Sequence, residues 1–128
     1  MRELYCSDVY DDPAPYSQGV LSGETIYLAG QVPDDETGRI VGDDIETQTR
    51  QAIANVEALL QAAGSSLADI VSVTAYLTDL DDLDGFNRVY AALLPDPKPA
   101  RATVGVDGLV VDARLELQVI GIKNGEPN

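Results

Sequence analysis

The sequence predicts an α+β domain in which a mixed β-sheet carries two helices on one face. Two segments repeat their apolar residues with helical spacing, while others alternate or form short runs rich in β-branched residues. The predicted order is strand, strand, helix, strand, helix, strand, strand, give or take one strand. With 128 residues the chain is long enough for one hydrophobic core, so we expect a single domain over residues 1–128.

The N-terminal half contains one clear strand and one amphipathic helix. Residues 25–30 form the strand, bounded by Ser22-Gly23 and by a polar loop over 33–38. Asp43 and Glu46 are placed as an N-terminal capping pair for the helix, and Gly64 as its C-terminal stop. The apolar residues with helical spacing are Ile45, Ala52, Ile53, Val56, Leu59, Leu60 and Ala63.

The C-terminal half repeats this pattern and then closes the sheet. Residues 71–78 alternate with period two, and apolar residues between 83 and 94 return to helical spacing before Pro95. Two further strands are predicted at 102–106 and 114–122, separated by Gly108.

The last strand indicates that both sheet faces are covered. Right-handed crossovers place both helices on one face, against Leu115, Leu117 and Val119. A domain this small has no spare element for the other face, so a second copy of the chain is expected there, in a closed homo-oligomer. That face carries Glu116, Gln118, Ile120 and Ile122, and is half apolar.

Composition excludes several classes of function. The net charge is −14, which disfavours a nucleic-acid partner, and no phosphate-binding loop is present. Without histidine and with one cysteine, Cys6, expected near a frayed terminus, neither a zinc site nor a Ser-His or Cys-His mechanism is available. No apolar run is long enough to cross a membrane and no signal peptide is recognisable, so we expect a cytoplasmic protein.

The acidic residues have a separate interpretation. Aspartates occur in pairs such as Asp34-Asp35 and Asp81-Asp82, which are typical of solvated surface, and lysine is scarce. Concentrated salt screens the repulsion between such charges. The composition therefore favours a protein from a halophile over an ordinary acidic protein.

Four residues are candidates for a site. Glu116 lies between two leucines in an apolar strand, which indicates either a structural salt bridge or a catalytic carboxylate. Arg101 lies just before the strand at 102–106, which is predicted to be buried. It could hold a carboxylate with two hydrogen bonds, or be a surface arginine paired with an acid. Tyr16 is either a packing residue or a ligand contact, and Gly30 either ends a strand or lets a ligand approach the backbone.

Motifs along nearly the whole chain, from about residue 14 to residue 122, resemble the RidA (YjgF) family of reactive-intermediate deaminases. Their order and spacing are specific, although each motif alone is weak. They are Pro15-Tyr16-Ser17-Gln18, Ala29-Gly30-Gln31-Val32-Pro33, Gln48-Thr49-Arg50-Gln51-Ala52 with Asn55, Ala62-Ala63-Gly64, Thr78-Asp79-Leu80, Phe86-Asn87 with Val89-Tyr90, and Pro99-Ala100-Arg101-Ala102-Thr103.

The resemblance implies a chorismate-mutase-like α+β fold and a homotrimer with three clefts between subunits. It also implies a C=N hydrolase that converts 2-iminobutanoate, 2-iminopropanoate and similar 2-imino acids, the tautomers of enamines, to 2-oxo acids and ammonia. No metal or organic cofactor is expected. The implied partners are the small imino acid and further copies of the chain, with neither nucleic acid nor membrane.

The resemblance also assigns roles to residues. Arg101 corresponds to the arginine that holds the substrate carboxylate, and Glu116 to the acid that orients or activates water. Tyr16 corresponds to the tyrosine lining the cleft, Gly30 and Thr103 to backbone contacts, and Asn87 to a commonly retained asparagine. The chain departs from the usual pattern at Ala29, Thr103 and Gln118, where many members have Ser, Cys and a second Glu.

Two other functions remain open at this level. A non-catalytic ligand-binding or regulatory trimer on the same fold is the main alternative. The ribonuclease role sometimes attached to the family is disfavoured by the net charge of −14 and the absence of histidine.

Overall fold

The computed structural model describes residues 1–124 and contains one mixed sheet with two α-helices. The predicted α+β class is confirmed, and residues 125–128 of the predicted domain lie outside the described residues. The elements are β1 (Arg2–Leu4), β2 (Gly19–Ser22), β3 (Thr25–Leu28), α1 (Ile45–Ala62), β4 (Ile70–Leu77), α2 (Leu83–Leu93), β5 (Ala100–Gly105) and β6 (Leu115–Ile122).

The six strands lie in the order β1-β2-β3-β6-β4-β5. All neighbours are antiparallel except β4 and β5, which are parallel and joined through α2. Strand β6 therefore lies at the centre of the sheet, and β5 forms one edge.

Helix α1 begins and ends at local sequence signals. The Asp44 side chain accepts a hydrogen bond from the backbone N–H of Thr47 at 2.9 Å, so Asp44 is the N-cap and the prediction of Asp43 was wrong by one residue. Gly64 follows the helix with φ of +78°, a left-handed conformation that glycine adopts without strain, which confirms the predicted stop.

Both helices pack on the same face of the sheet, as predicted. Their apolar sides cover the inward residues of β6, where Leu115, Leu117 and Val119 are at most 2% exposed. The opposite face has no covering element within residues 1–124. There Ile122 is 44% exposed and Tyr27 is 48% exposed.

Two predictions about the edges of the sheet need correction. Residues 2–4 pair with β2 as an additional strand, and Cys6 is buried behind it, so the N-terminus is not frayed. Strand β5 was predicted to be buried, but it is an exposed edge strand. Edge position explains this difference, because β4 is the only strand of the described residues that pairs with it.

No helix in the described part of the chain is long and apolar enough to span a membrane.

Candidate functional site

A cleft of about 730 Å³ opens on the uncovered side of the sheet. Its walls come from the segment before β2, from the end of β3 and the loop that follows, from residues 110–111 and from β6. Three of the predicted site residues line it: Tyr16, Gly30 and Glu116. We call these three residues the cleft cluster.

Glu116 is a half-buried carboxylate without a counter-charge. Within residues 1–124 it forms no ion pair or hydrogen bond with another side chain, so one chain does not provide the salt-bridge partner considered from the sequence. Burial raises the pKa of the Glu116 carboxyl above its usual value. A raised pKa makes the carboxylate a better proton acceptor, which suits it to accepting and returning a proton during a reaction.

Gly30 leaves the space that the Glu116 carboxylate occupies. A Cβ atom added to Gly30 would overlap that carboxylate, whereas one added to Gly108 would meet nothing within 4 Å. The next residue, Gln31, exchanges two backbone hydrogen bonds with Leu117, of 2.7 and 2.9 Å, which fixes this loop beside β6. The sequence suggested a backbone contact for Gly30, and the structure adds a steric role.

Tyr16 forms part of the rim and is 55% exposed. Its hydroxyl donates a hydrogen bond to Asp12 at 3.0 Å. Burial, this hydrogen bond and the charges of Asp12, Asp34 and Glu116 together raise the pKa of Tyr16 to about 12. The phenol is therefore protonated at neutral pH and acts as a hydrogen-bond donor.

The other three predicted site residues lie together at the β5 edge, and we call Asn87, Arg101 and Thr103 the edge cluster. The Arg101 guanidinium donates from Nη2 to Oδ1 of Asn87 at 2.7 Å. It also lies over two aromatic rings of α2, 5.1 Å from the Phe86 centroid and 4.7 Å from the Tyr90 centroid. Among the described residues no acid forms an ion pair with it, which disfavours the surface-pair interpretation.

The two clusters lie on opposite faces of the sheet. Arg101 pairs with Val73 of β4, and Glu116 pairs with Tyr76 of the same strand. Val73 and Tyr76 are three positions apart, so their side chains, and those of their partners, point to opposite faces. Thr103 pairs with Ala75 and shares the Arg101 face. A single chain therefore does not bring Arg101 and Glu116 together.

Sequence reasoning missed Asp34, which also lines the cleft. The Asp34-Asp35 pair was interpreted as solvated surface, but Asp34 is half-buried, and burial is the main cause that raises its pKa to about 6. Its backbone follows the buried Pro33 in the loop after Gly30, and this proximity was the only available signal.

Residues 9–123 match the family model described as Endoribonuclease L-PSP. The chain belongs to the RidA/YjgF family. A RutC family protein of Pyrococcus horikoshii is 42% identical over 125 residues, covering 96% of this chain and 99% of the relative.

Two RidA proteins extend the comparison. RidA from an Antarctic Psychrobacter superposes with a TM-score of 0.91 at 34% identity, covering 95% of this chain and 99% of that chain. The chloroplastic Reactive Intermediate Deaminase A of Arabidopsis thaliana is 36% identical over 109 residues, which are 83% of this chain and 57% of the plant protein. The superposition thus confirms the fold that the resemblance implied.

Proposed function

We propose that the protein hydrolyses 2-imino acids, such as 2-iminobutanoate and 2-iminopropanoate, to 2-oxo acids and ammonia. The observation that carries this proposal is the unpaired Glu116 carboxylate, half-buried in the cleft and raised in pKa by burial. The name of the Arabidopsis relative, a reactive intermediate deaminase, supports the same activity.

The proposal includes an assembly, a homotrimer in which the edge cluster of one subunit faces the cleft cluster of the next. Within residues 1–124 the Glu116 carboxylate has no cation partner and the Arg101 guanidinium has no acid partner. The uncovered sheet face with Ile120 and Ile122 supplies apolar surface for the contact. Bringing the two clusters together gives each charge a counterpart.

The reaction requires positioning and proton transfer. Arg101 holds the substrate carboxylate through two parallel hydrogen bonds, while a further N–H at Nη2 stays on Oδ1 of Asn87. Glu116 accepts a proton from water as the water oxygen bonds to the imine carbon. Glu116 returns that proton to the nitrogen, which gives a carbinolamine. The hydroxyl proton then passes to the nitrogen through Glu116, the C–N bond breaks, and ammonia leaves as the carbon becomes the carbonyl of the 2-oxo acid.

Ribonuclease activity is disfavoured even though the matching family model is described as an endoribonuclease. The chain has no histidine and a net charge of −14. Four carboxylates and no lysine or arginine line the cleft within the described residues: Asp11, Asp12, Asp34 and Glu116. Such a cleft repels a phosphate backbone.

The test uses 2-iminopropanoate generated in situ from alanine by an amino-acid oxidase, and measures the release of pyruvate and ammonia. We expect the protein to accelerate release, and Glu116→Gln to lower kcat/KM by about 100-fold or more, because an amide does not take up the proton of water. Glu24→Gln, the same change on the exposed β2–β3 turn, is the matched control.

Wild-type turnover by a correctly assembled Glu116→Gln protein would contradict the general-base role. Ligand binding without any acceleration by the wild type would instead favour the non-catalytic trimer.

A further inference from the structure

Asp34 lies on the cleft wall in a fixed orientation. Asn55 of α1, which is 5% exposed, donates through Nδ2 to the Oδ1 atom of Asp34 and to its backbone oxygen, both at 3.0 Å. No other residue among 1–124 donates a hydrogen bond to the Oδ2 atom of Asp34. One carboxylate oxygen is therefore held by the helix and the other is available to a ligand.

No positive charge of the described chain compensates Asp34. No lysine or arginine lines the cleft within residues 1–124, and the raised pKa of Asp34 reflects burial without a counter-ion. In the proposed trimer, Arg101 of the next subunit binds the substrate carboxylate, so a ligand with a second, cationic group would supply the charge that Asp34 lacks. A neutral ligand would leave Asp34 partly desolvated and unpaired.

Asp34 and Glu116 mark different parts of the cleft. Asp34 belongs to the loop after β3 and Glu116 to β6, and the charges of both raise the pKa of the Tyr16 phenol. The volume of about 730 Å³ also exceeds the needs of a substrate with a methyl side chain. A longer side chain therefore has room to extend from the reacting carbon beside Glu116 towards Asp34.

The geometry points to Asp34 as a specificity-determining residue that favours 2-imino acids whose side chain ends in a cation. This inference rests on the proposed function, because it takes Glu116 as the reacting end of the cleft. Discrimination arises from one charge-assisted hydrogen bond to Oδ2, and is expected to be roughly 10- to 100-fold over a neutral isostere.

The experiment compares the imines generated from arginine and citrulline by an L-amino-acid oxidase. The two side chains have nearly the same length and shape and differ in charge. We expect the wild-type kcat/KM to be roughly 10- to 100-fold higher for the arginine imine, and Asp34→Asn, which keeps an acceptor for Asn55, to abolish most of that ratio. Asp35→Asn is the matched control, because Asp35 does not line the cleft.

An unchanged ratio in Asp34→Asn, or no preference in the wild type, would overturn the inference while leaving imine hydrolysis intact. If no imine were hydrolysed, the proposed function would fail instead. In that case, calorimetric titration with arginine and citrulline themselves tests whether Asp34 favours a cationic side chain. Tighter arginine binding that is lost in Asp34→Asn supports the inference, and equal affinities overturn it.

Discussion

The cleft cluster and the edge cluster are opposites in charge, burial and support. Glu116 is recessed in an acidic cleft and depends on the space left by Gly30. Arg101 stands on an exposed edge strand, held by Asn87 and by the faces of two aromatic rings. Within residues 1–124 each cluster has one charge without a counterpart, and the sheet separates the two clusters. This difference supports the proposed homotrimer, in which a complete site would form between two chains.

Removing the charge of the edge cluster should have the largest effect. Arg101→Ala is expected to lower kcat/KM for 2-iminopropanoate by roughly 100-fold or more, mainly by raising KM, because the substrate carboxylate loses its bidentate partner. Arg101→Lys should restore little of this loss, since an ammonium is a point charge. Steady-state kinetics check both variants.

Arg50→Ala, an exposed arginine on α1, serves as control and should retain activity. Full rescue by Arg101→Lys would contradict the bidentate role.

Crowding the cleft cluster should have the next largest effect. Gly30→Ala places a methyl group where the Glu116 carboxylate lies, so we expect kcat/KM to fall roughly 10- to 100-fold and its pH profile to shift. Gly108→Ala, in open space, should leave both unchanged. An unaltered pH profile in Gly30→Ala would leave Gly30 with a backbone contact only.

Salt should stabilise the folded protein through the acidic surface that lies outside both clusters. The net charge of −14 is only partly offset within residues 1–124, where the ion pairs are Arg88–Glu46, Lys98–Asp96 and Arg114–Asp82. Raising KCl from about 0.1 M to about 2 M should increase Tm by about 5 °C or more, because screening removes repulsion. Scanning calorimetry measures Tm at each salt concentration. Midpoints that do not change with salt would show a surface compensated internally and would argue against a halophilic protein.

The fold was predictable from the sequence further than the site was. Helical spacing in α1 and alternation in β6 are local patterns, and they predicted both elements and the uncovered face. Alternation in β6 also placed Glu116 on the uncovered face, but the placement of Arg101 on the other face depends on the register of β5 against β4. A shift of one residue reverses a strand's faces, and no local pattern specifies that register.

Asp34 shows a second limit to predicting the site from the sequence. Its carboxylate is held by hydrogen bonds from Asn55, which is 21 residues away in sequence, and such a long-range contact leaves no local pattern.

The smallest expected effect is the contribution of Asp34 to the pH dependence of stability. The pKa of Asp34 is raised from 3.8 to about 6, so the folded state binds more protons than the unfolded state between about pH 4 and 6. The free energy of unfolding should therefore rise as pH falls through this window. Asp34→Asn should reduce that rise, and should stabilise the protein at pH 7 by about 1 kcal/mol after allowance for solvent screening. Urea unfolding at each pH measures both.

Asp35→Asn is a control of opposite sign, because hydrogen bonds from Thr37 and Arg39 lower the pKa of Asp35. That variant should lose stability at neutral pH. Equal pH dependence in wild type and Asp34→Asn would contradict the assignment.

Complementation between two inactive variants tests the shared site most directly. Arg101→Ala and Glu116→Gln chains are co-expressed in equal amounts with different tags, and assemblies that carry both tags are assayed with 2-iminopropanoate. If each site takes Glu116 from one subunit and Arg101 from the next, every trimer that carries both tags has about one third of its sites intact. Activity near that fraction of the wild type is expected. Hybrid assemblies no more active than either variant alone would contradict the shared site.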